Sequence, residues 1–282
     1  MNSWVKFAAL LLLTGCPSTQ SDDIETDTDT DTDTNECEPD SNTEIFTDGI
    51  HGMVVDQDGN PVQCFRAQYC SDAGCTPGTT NGVGSFTIPT DGVGEQGAFE
   101  ITPLTDTYAH LIPATIPTQV VPGGDKEFSV VAVTRTEFAE IEETPQMHSI
   151  GGGIHLDIGT SNVKFPPFTK DERISAVEVP VEDRLPVTGL DDKGGDVIAM
   201  WYMAPFDTHS LEGVRLEIEI ENQWSLEAGK TYPVFEFQVD EKEYAWKPIG
   251  DFTLEGDRLV ATNKDTMGLR YLTTLVLLEP KE

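Results

Sequence analysis

The stretch Gly213–Asn222, "GVRLEIEIEN", puts Val214, Leu216, Ile218 and Ile220 on one side of an extended chain and Arg215, Glu217, Glu219 and Glu221 on the other. Successive side chains of a strand point to opposite faces, so this strict alternation predicts an antiparallel β-strand with one wet face. Downstream, "VFEFQVD" repeats the pattern with Phe235, Phe237 and Val239 on one side. "DFTLEGDRLVAT" reads as a hairpin across Glu255-Gly256-Asp257, and "LRYLTTLVLLEP" as a closing strand. "DVIAMWYMAPFD", residues 196–207, is apolar almost throughout, which fits a strand crossing the middle of a sheet. These strands predict a β-sandwich domain over residues 146–282.

Upstream, residues 45–140 show the same grammar. Ile50 to Val55 is an apolar strand, Asp58-Gly59-Asn60-Pro61 a turn, and a second strand starts at Val62. Asp-Gly between β-rich runs signals a hairpin, because glycine takes the positive φ the turn requires. Asn81-Gly82 and Gly84 precede a strand from Ser85 to Ile88, and "AFEITPL" and "EFSVVAV" supply two more. No stretch has helical periodicity. The acidic segment Glu137–Gln146, with its Thr-Pro step, reads as the connector. The fold class is therefore all-β, two tandem antiparallel β-sandwich domains at 45–140 and 146–282.

The motifs of the first domain resemble those of the carboxypeptidase regulatory-like domain. Gly52, Val54, Asp56, Gly59 and Pro61 match its first strand and turn, and Thr80, Gly84 and Phe86 match a later strand start. The resemblance covers about a third of the chain and implies a seven-stranded, transthyretin-like (prealbumin-like) sandwich that is non-catalytic. The cysteine-bearing segment from Cys70 to Gly78 departs from the simplest pattern. The C-terminal domain carries no motif set that identifies a family.

Ahead of both domains, Phe7 to Leu13 is an apolar run too short for a membrane span, preceded by Lys6 and followed by Thr14-Gly15-Cys16. Leu13-Thr14-Gly15-Cys16 resembles the lipobox of bacterial lipoproteins. The resemblance implies a signal peptide at 1–15 and lipidation of Cys16, and Pro17-Ser18, lacking aspartate after the cysteine, implies the outer membrane. The body then faces either the periplasm or the cell surface. Residues 17–44 hold 11 acids and no Lys or Arg, with Thr and Asp alternating from Thr26 to Thr34. Such a segment, 16–44 with the cysteine, buries too little surface to fold and predicts a disordered tether. At ~3.3–3.6 Å per residue it reaches on the order of 90–100 Å. Its carboxylates offer weak, diffuse divalent-cation binding and no preformed cage.

Beyond residue 44 there remain 39 acids against 16 bases, a field that disfavours nucleic acid. With Cys16 lipidated, Cys37, Cys64, Cys70 and Cys75 remain, an even number in an exported chain. That predicts two disulfides rather than a zinc site, since no C-x-x-C pair is present. Three pairings are open; a local Cys70–Cys75 staple with Cys37–Cys64 is favoured.

Catalytic signals are sparse. His148, His155 and Asp157 form the one local cluster of metal-ligand types, with His155 and Asp157 on the same face of a strand. No H-E-x-x-H and no G-x-S-x-G is present, Asp56 opens no EF-hand loop because its sixth residue is Pro61 and its twelfth Ala67, and Gly151 and Gly153 lack a third glycine at Leu156. Trp201, Tyr202, Trp224, Tyr244 and Trp246 form either a sugar-stacking platform or plugs of sandwich cores. The chain thus reads as a non-enzymatic, membrane-anchored envelope lipoprotein acting as a binding or structural module with a protein or glycan ligand and no cofactor. The alternatives are a carbohydrate-binding module centred on Trp201 and Trp246 and, behind it, an extracytoplasmic hydrolase or metal enzyme using His148 and His155.

Overall fold

Strand alternation in residues 50–132 produces seven strands: β1 (Ile50–Asp56), β2 (Phe65–Ser71), β3 (Gly74–Thr79), β4 (Ser85–Ile88), β5 (Gln96–Pro103), β6 (Ala114–Gln119) and β7 (Lys126–Ala132). The computed structural model describes residues 42–166, 172–240, 243–263 and 267–281. The signal peptide, Cys16, Cys37 and the tether as far as residue 41 lie outside the described residues. The seven strands make two sheets, ordered β4-β1-β7 and β3-β2-β5-β6, and no α-helix occurs among the described residues. Phe99 fills the space between the sheets, stacked at 4.3 Å on Phe128 and at 5.8 Å on Phe86.

The Asp56–Asn60 turn forms and closes a short antiparallel hairpin, with Asp56 N donating to Asn60 O at 2.9 Å and Val62 N to Val54 O at 2.9 Å. Asp56 Oδ1 accepts from the backbone of Asp58 at 3.0 Å and of Asn60 at 2.8 Å, and Gly59 adopts φ +82°. The strands on either side then part: β1 pairs with β4 and β7, β2 with β3 and β5. Pairing ends after Val62, and Cys64 at φ +59° turns the chain into the other sheet. The β1–β7 pair is parallel, whereas the other described strand pairs are antiparallel. Gly52 makes that pairing possible, since a Cβ there would sit 1.8 Å from the Phe128 carbonyl oxygen.

The second half contributes β8 (Gln146–Gly151), β9 (Ile154–Ile158), β10 (Val163–Lys164), β11 (Ser175–Glu178), β12 (Val197–Ala204), β13 (Thr208–Ser210), β14 (Ile218–Glu221), β15 (Thr231–Asp240), β16 (Glu243–Glu255), β17 (Arg258–Ala261), β18 (Tyr271–Leu272) and β19 (Thr274–Leu278). Nine of them run as one sheet, β11-β12-β19-β15-β16-β17-β14-β9-β8, beside a small sheet β10-β13-β18. The large sheet curls until its two edge strands meet. A Cβ on Gly151 would approach the Ala176 carbonyl oxygen at 2.6 Å, and one on Gly152 the Glu178 amide nitrogen at 2.8 Å. The expected second sandwich is thus one sheet wrapped almost into a barrel. Register shifts at Val197/Ala199 and Val234/Phe235 bend its long strands, as bulges do.

Alternation along the central strands feeds two cores. Ala199, Trp201 and Met203 of β12, Val234 of β15 and Leu275 and Leu277 of β19 join Ile154, Leu156, Ile218 and Ile220 inside the barrel. Their neighbours Met200, Tyr202, Phe235, Phe237, Val276 and Leu278 face outward and share a core with the sandwich, including Ala114 and Ile116 of β6. The apolar run of residues 196–207 is explained: both faces of β12 are covered. β6 is the edge strand of its sheet, where Pro117 is tolerated. The barrel caps that edge, with the Thr274 hydroxyl donating to the Thr115 carbonyl and the Thr188 hydroxyl to Pro117 O at 3.3 Å.

Candidate functional site

One concavity lies where the β14–β15 loop folds over the barrel core. Asn222 starts the loop, its Oδ1 accepting from Leu226 N at 3.2 Å, and Ser225 adopts φ +57°. The Glu227 amide donates to the Tyr232 hydroxyl at 2.9 Å. These bonds set Trp224 and Leu226 against the barrel core, half-buried. Trp224 is fixed twice more: its Nε1–H donates to Glu178 Oε1 at 3.0 Å, and its ring meets Trp201 edge-to-face at 5.5 Å.

The result is a groove of about 590 Å³ with Trp224, Leu226, Ile198 and Tyr232 as its apolar lining. Two acids and two lysines line it as well, Glu227 and Glu279 with Lys230 and Lys281. Lys230 pairs with Glu227 at 3.1 Å, and that hydrogen bond raises the pKa of its ammonium group. Lys281 donates to the Asp191 carbonyl at 3.3 Å. The lining therefore combines one fixed indole with charges of both signs, of which Lys230 and Glu227 form an ion pair.

A second groove, about 470 Å³, opens where the sandwich meets the barrel, and includes Arg66, Gln68, Glu100, Thr102, Arg135 and Asp207. Glu100 is buried; it accepts from Gln68 at 2.5 Å and from Thr102 at 3.0 Å, with Arg66 at 4.0 Å. Burial, offset in part by these partners, holds its carboxyl above the ordinary range, and burial does the same for Asp207. Sequence reasoning missed this groove. Alternation places Glu100 on the wet side of β5, between Phe99 and Ile101, and nothing local announces that the barrel covers that side.

The residues singled out from sequence are scattered. His148 pairs with Leu156 and shares its inward face, whereas His155 and Asp157 lie on the opposite face of the sheet. His155 Nε2 instead meets Glu221 Oε1 at 2.8 Å. The three do not converge, and no group of three or more His, Cys, Asp or Glu side chains suited to a metal occurs among the described residues. Trp201 and Trp246 are 0% and 3% exposed, so neither presents a face for stacking. Their N–H groups donate to the carbonyls of Gly152 at 2.8 Å and Thr188 at 2.9 Å. Tyr202 is buried in the shared core and Tyr244 packs beside it. Of the five aromatics, Trp224 alone lines either groove. Its signal in the sequence is a tryptophan standing in a polar loop between two alternating strands.

Cys70 and Cys75 form a disulfide across β2 and β3, where they are register partners. Cys64 is disulfide-bonded as well; Cys37, its expected partner, lies outside the described residues. Glu236 is wholly buried on the barrel side of β15. Its Oε2 accepts from the amides of Arg270 at 2.8 Å and Tyr271 at 3.0 Å, and Gln238 donates to Oε1. Burial pushes its carboxyl up to about 7 against those hydrogen bonds.

No family model matches the chain, and no curated protein matches it. A crystal structure at 2.00 Å resolution of a "putative carbohydrate binding protein" from Bacteroides uniformis is similar over 82% of this chain and 97% of its own. The identity is 12% and the TM-score 0.22, and a likeness at that score carries no argument.

Proposed function

We propose that this chain is a lipid-anchored envelope protein that displays its all-β body on an acidic tether as a non-catalytic binding and structural module. One observation carries the reading: Leu13-Thr14-Gly15-Cys16 stands directly ahead of 28 residues with 11 acids and no base. Acyl chains on Cys16 hold a protein at a bilayer at about 0.8 kcal/mol per buried methylene. A like-charged tether extends, keeping the body clear of the lipid headgroups. The absence of aspartate after Cys16 favours the outer membrane.

The body supports a module of this kind. The sandwich and barrel share one core, the edge strand β6 is capped by the barrel, and the groove beside Trp224 is lined by residues packed on the barrel core. The histidines proposed as metal ligands are split between two faces of a sheet. The resemblance of residues 45–140 to the carboxypeptidase regulatory-like domain belongs to the same reading.

The test is fractionation of cells producing the full chain and its Cys16→Ala variant. The full chain remains with the membranes through an alkaline carbonate wash and leaves them in detergent, whereas the variant does not stay anchored. Release of the unmodified chain by carbonate overturns the proposal.

A further inference from the structure

We propose that the groove beside Trp224 binds an uncharged glycan, with one pyranose face laid against the indole. The inference rests on reading the body as a binding module and assigns that module its ligand.

Four features of the groove point to this chemistry. First, Trp224 is held before any ligand arrives. Its N–H is engaged by Glu178 at 3.0 Å and its ring abuts Trp201 edge-to-face at 5.5 Å. A side chain already fixed in place loses little further entropy on binding, which favours a small and weakly adhesive ligand. Second, the lining is amphiphilic: an indole, Leu226 and Ile198 stand beside Glu227, Lys230, Glu279 and Lys281. A pyranose has the matching form, with C–H groups on its faces and hydroxyls around its edge.

Third, the charges are balanced. Two carboxylates and two ammonium groups line the groove, with Lys230 paired to Glu227 at 3.1 Å. The site therefore offers no net sign to a charged ligand, while each charged group strengthens a hydrogen bond to a neutral hydroxyl. The body around it, with 39 acids against 16 bases, repels uronates, sulfated sugars and nucleic acids. Fourth, about 590 Å³ falls within the ~300–1,000 Å³ range of small-molecule sites.

The test uses the full chain in detergent, titrated calorimetrically with cellobiose, maltose, xylobiose, mannobiose, N,N′-diacetylchitobiose and their longer neutral homologues, with tryptophan emission recorded in parallel. At least one probe binds saturably and changes the emission. Trp224→Ala weakens that binding at least tenfold. Because Trp224 also packs on the barrel core, a second variant guards against misfolding. Thr231→Trp fills the groove from an exposed position on β15 while leaving the indole in place. Tryptophan suits a strand, so this variant melts within about 2 °C of the unmodified chain and still loses the binding. Binding that survives Thr231→Trp lies elsewhere and overturns the proposal. A panel without any binding overturns it too, and leaves the anchored-module reading to be judged by Cys16→Ala fractionation alone.

Discussion

Trp201 and Tyr202 are adjacent on β12 and face two different cores. Trp201 is 0% exposed inside the barrel, and Tyr202 is 2% exposed in the core that the barrel shares with the sandwich. A strand has only two faces, so covering both joins the two β assemblies through the thickness of one sheet.

Fused cores make unfolding cooperative. Trp201→Ala removes the largest side chain of the barrel core and costs about 3–5 kcal/mol in a urea titration. The unmodified body unfolds in one transition by both circular dichroism and tryptophan emission, and the variant does so at lower urea. Two separated transitions in the unmodified chain contradict a shared core.

Glu236 makes stability depend on pH. Its carboxyl, pushed up to about 7 by burial, binds a proton more tightly in the folded than in the unfolded chain, where the value is 4.5. Its contribution is therefore full below about pH 4.5 and is lost as pH rises through about 7. Glu236→Gln keeps an uncharged acceptor for the Arg270 and Tyr271 amides and removes this loss. Melting curves of the two proteins between pH 4.5 and 8 diverge in favour of the variant, by on the order of 3 kcal/mol at the alkaline end. Parallel curves contradict the assignment.

Self-repulsion sets the salt response. With 39 acids against 16 bases beyond residue 44, sodium chloride or calcium screens more repulsion than attraction. Raising the salt from 20 mM to 500 mM stabilises the body by about 1 kcal/mol, which is roughly 2–4 °C in melting temperature for a protein of this size. An unchanged melt across the series contradicts the argument.

Strand positions were legible because alternation is local. β4 runs over the predicted Ser85–Ile88, and Glu255 pairs with Arg258 across the predicted turn. Which strands pair was not legible, because that depends on what the chain does after each turn. Cys64, whose positive φ no local pattern announces, turns the chain after Val62 so that β1 and β2 enter separate sheets. β6 escaped notice because prolines at 113 and 117 mask a strand that survives only at an edge.

The grooves were harder still. Alternation assigns a residue to a face but is silent about what covers that face. Glu100 is buried although it is a charged residue in an alternating strand; Trp201 and Trp246 were weighed as a platform and are plugs. Trp224 is the exception that can be argued from sequence, since a tryptophan in a polar loop has no strand face of its own to fill. Its loop is shaped by hydrogen bonds of Asn222 and Glu227 to partners up to five residues away and by the positive φ of Ser225.

The most direct test of the anchored-module account is mass spectrometry of the amino-terminal peptide of the full chain purified from its own membranes. The account predicts a peptide that begins at Cys16, carries a diacylglyceryl thioether and is acylated on its amine. A peptide that retains Leu13-Thr14-Gly15 ahead of an unmodified Cys16, or a chain cut elsewhere with a free thiol at that position, contradicts it.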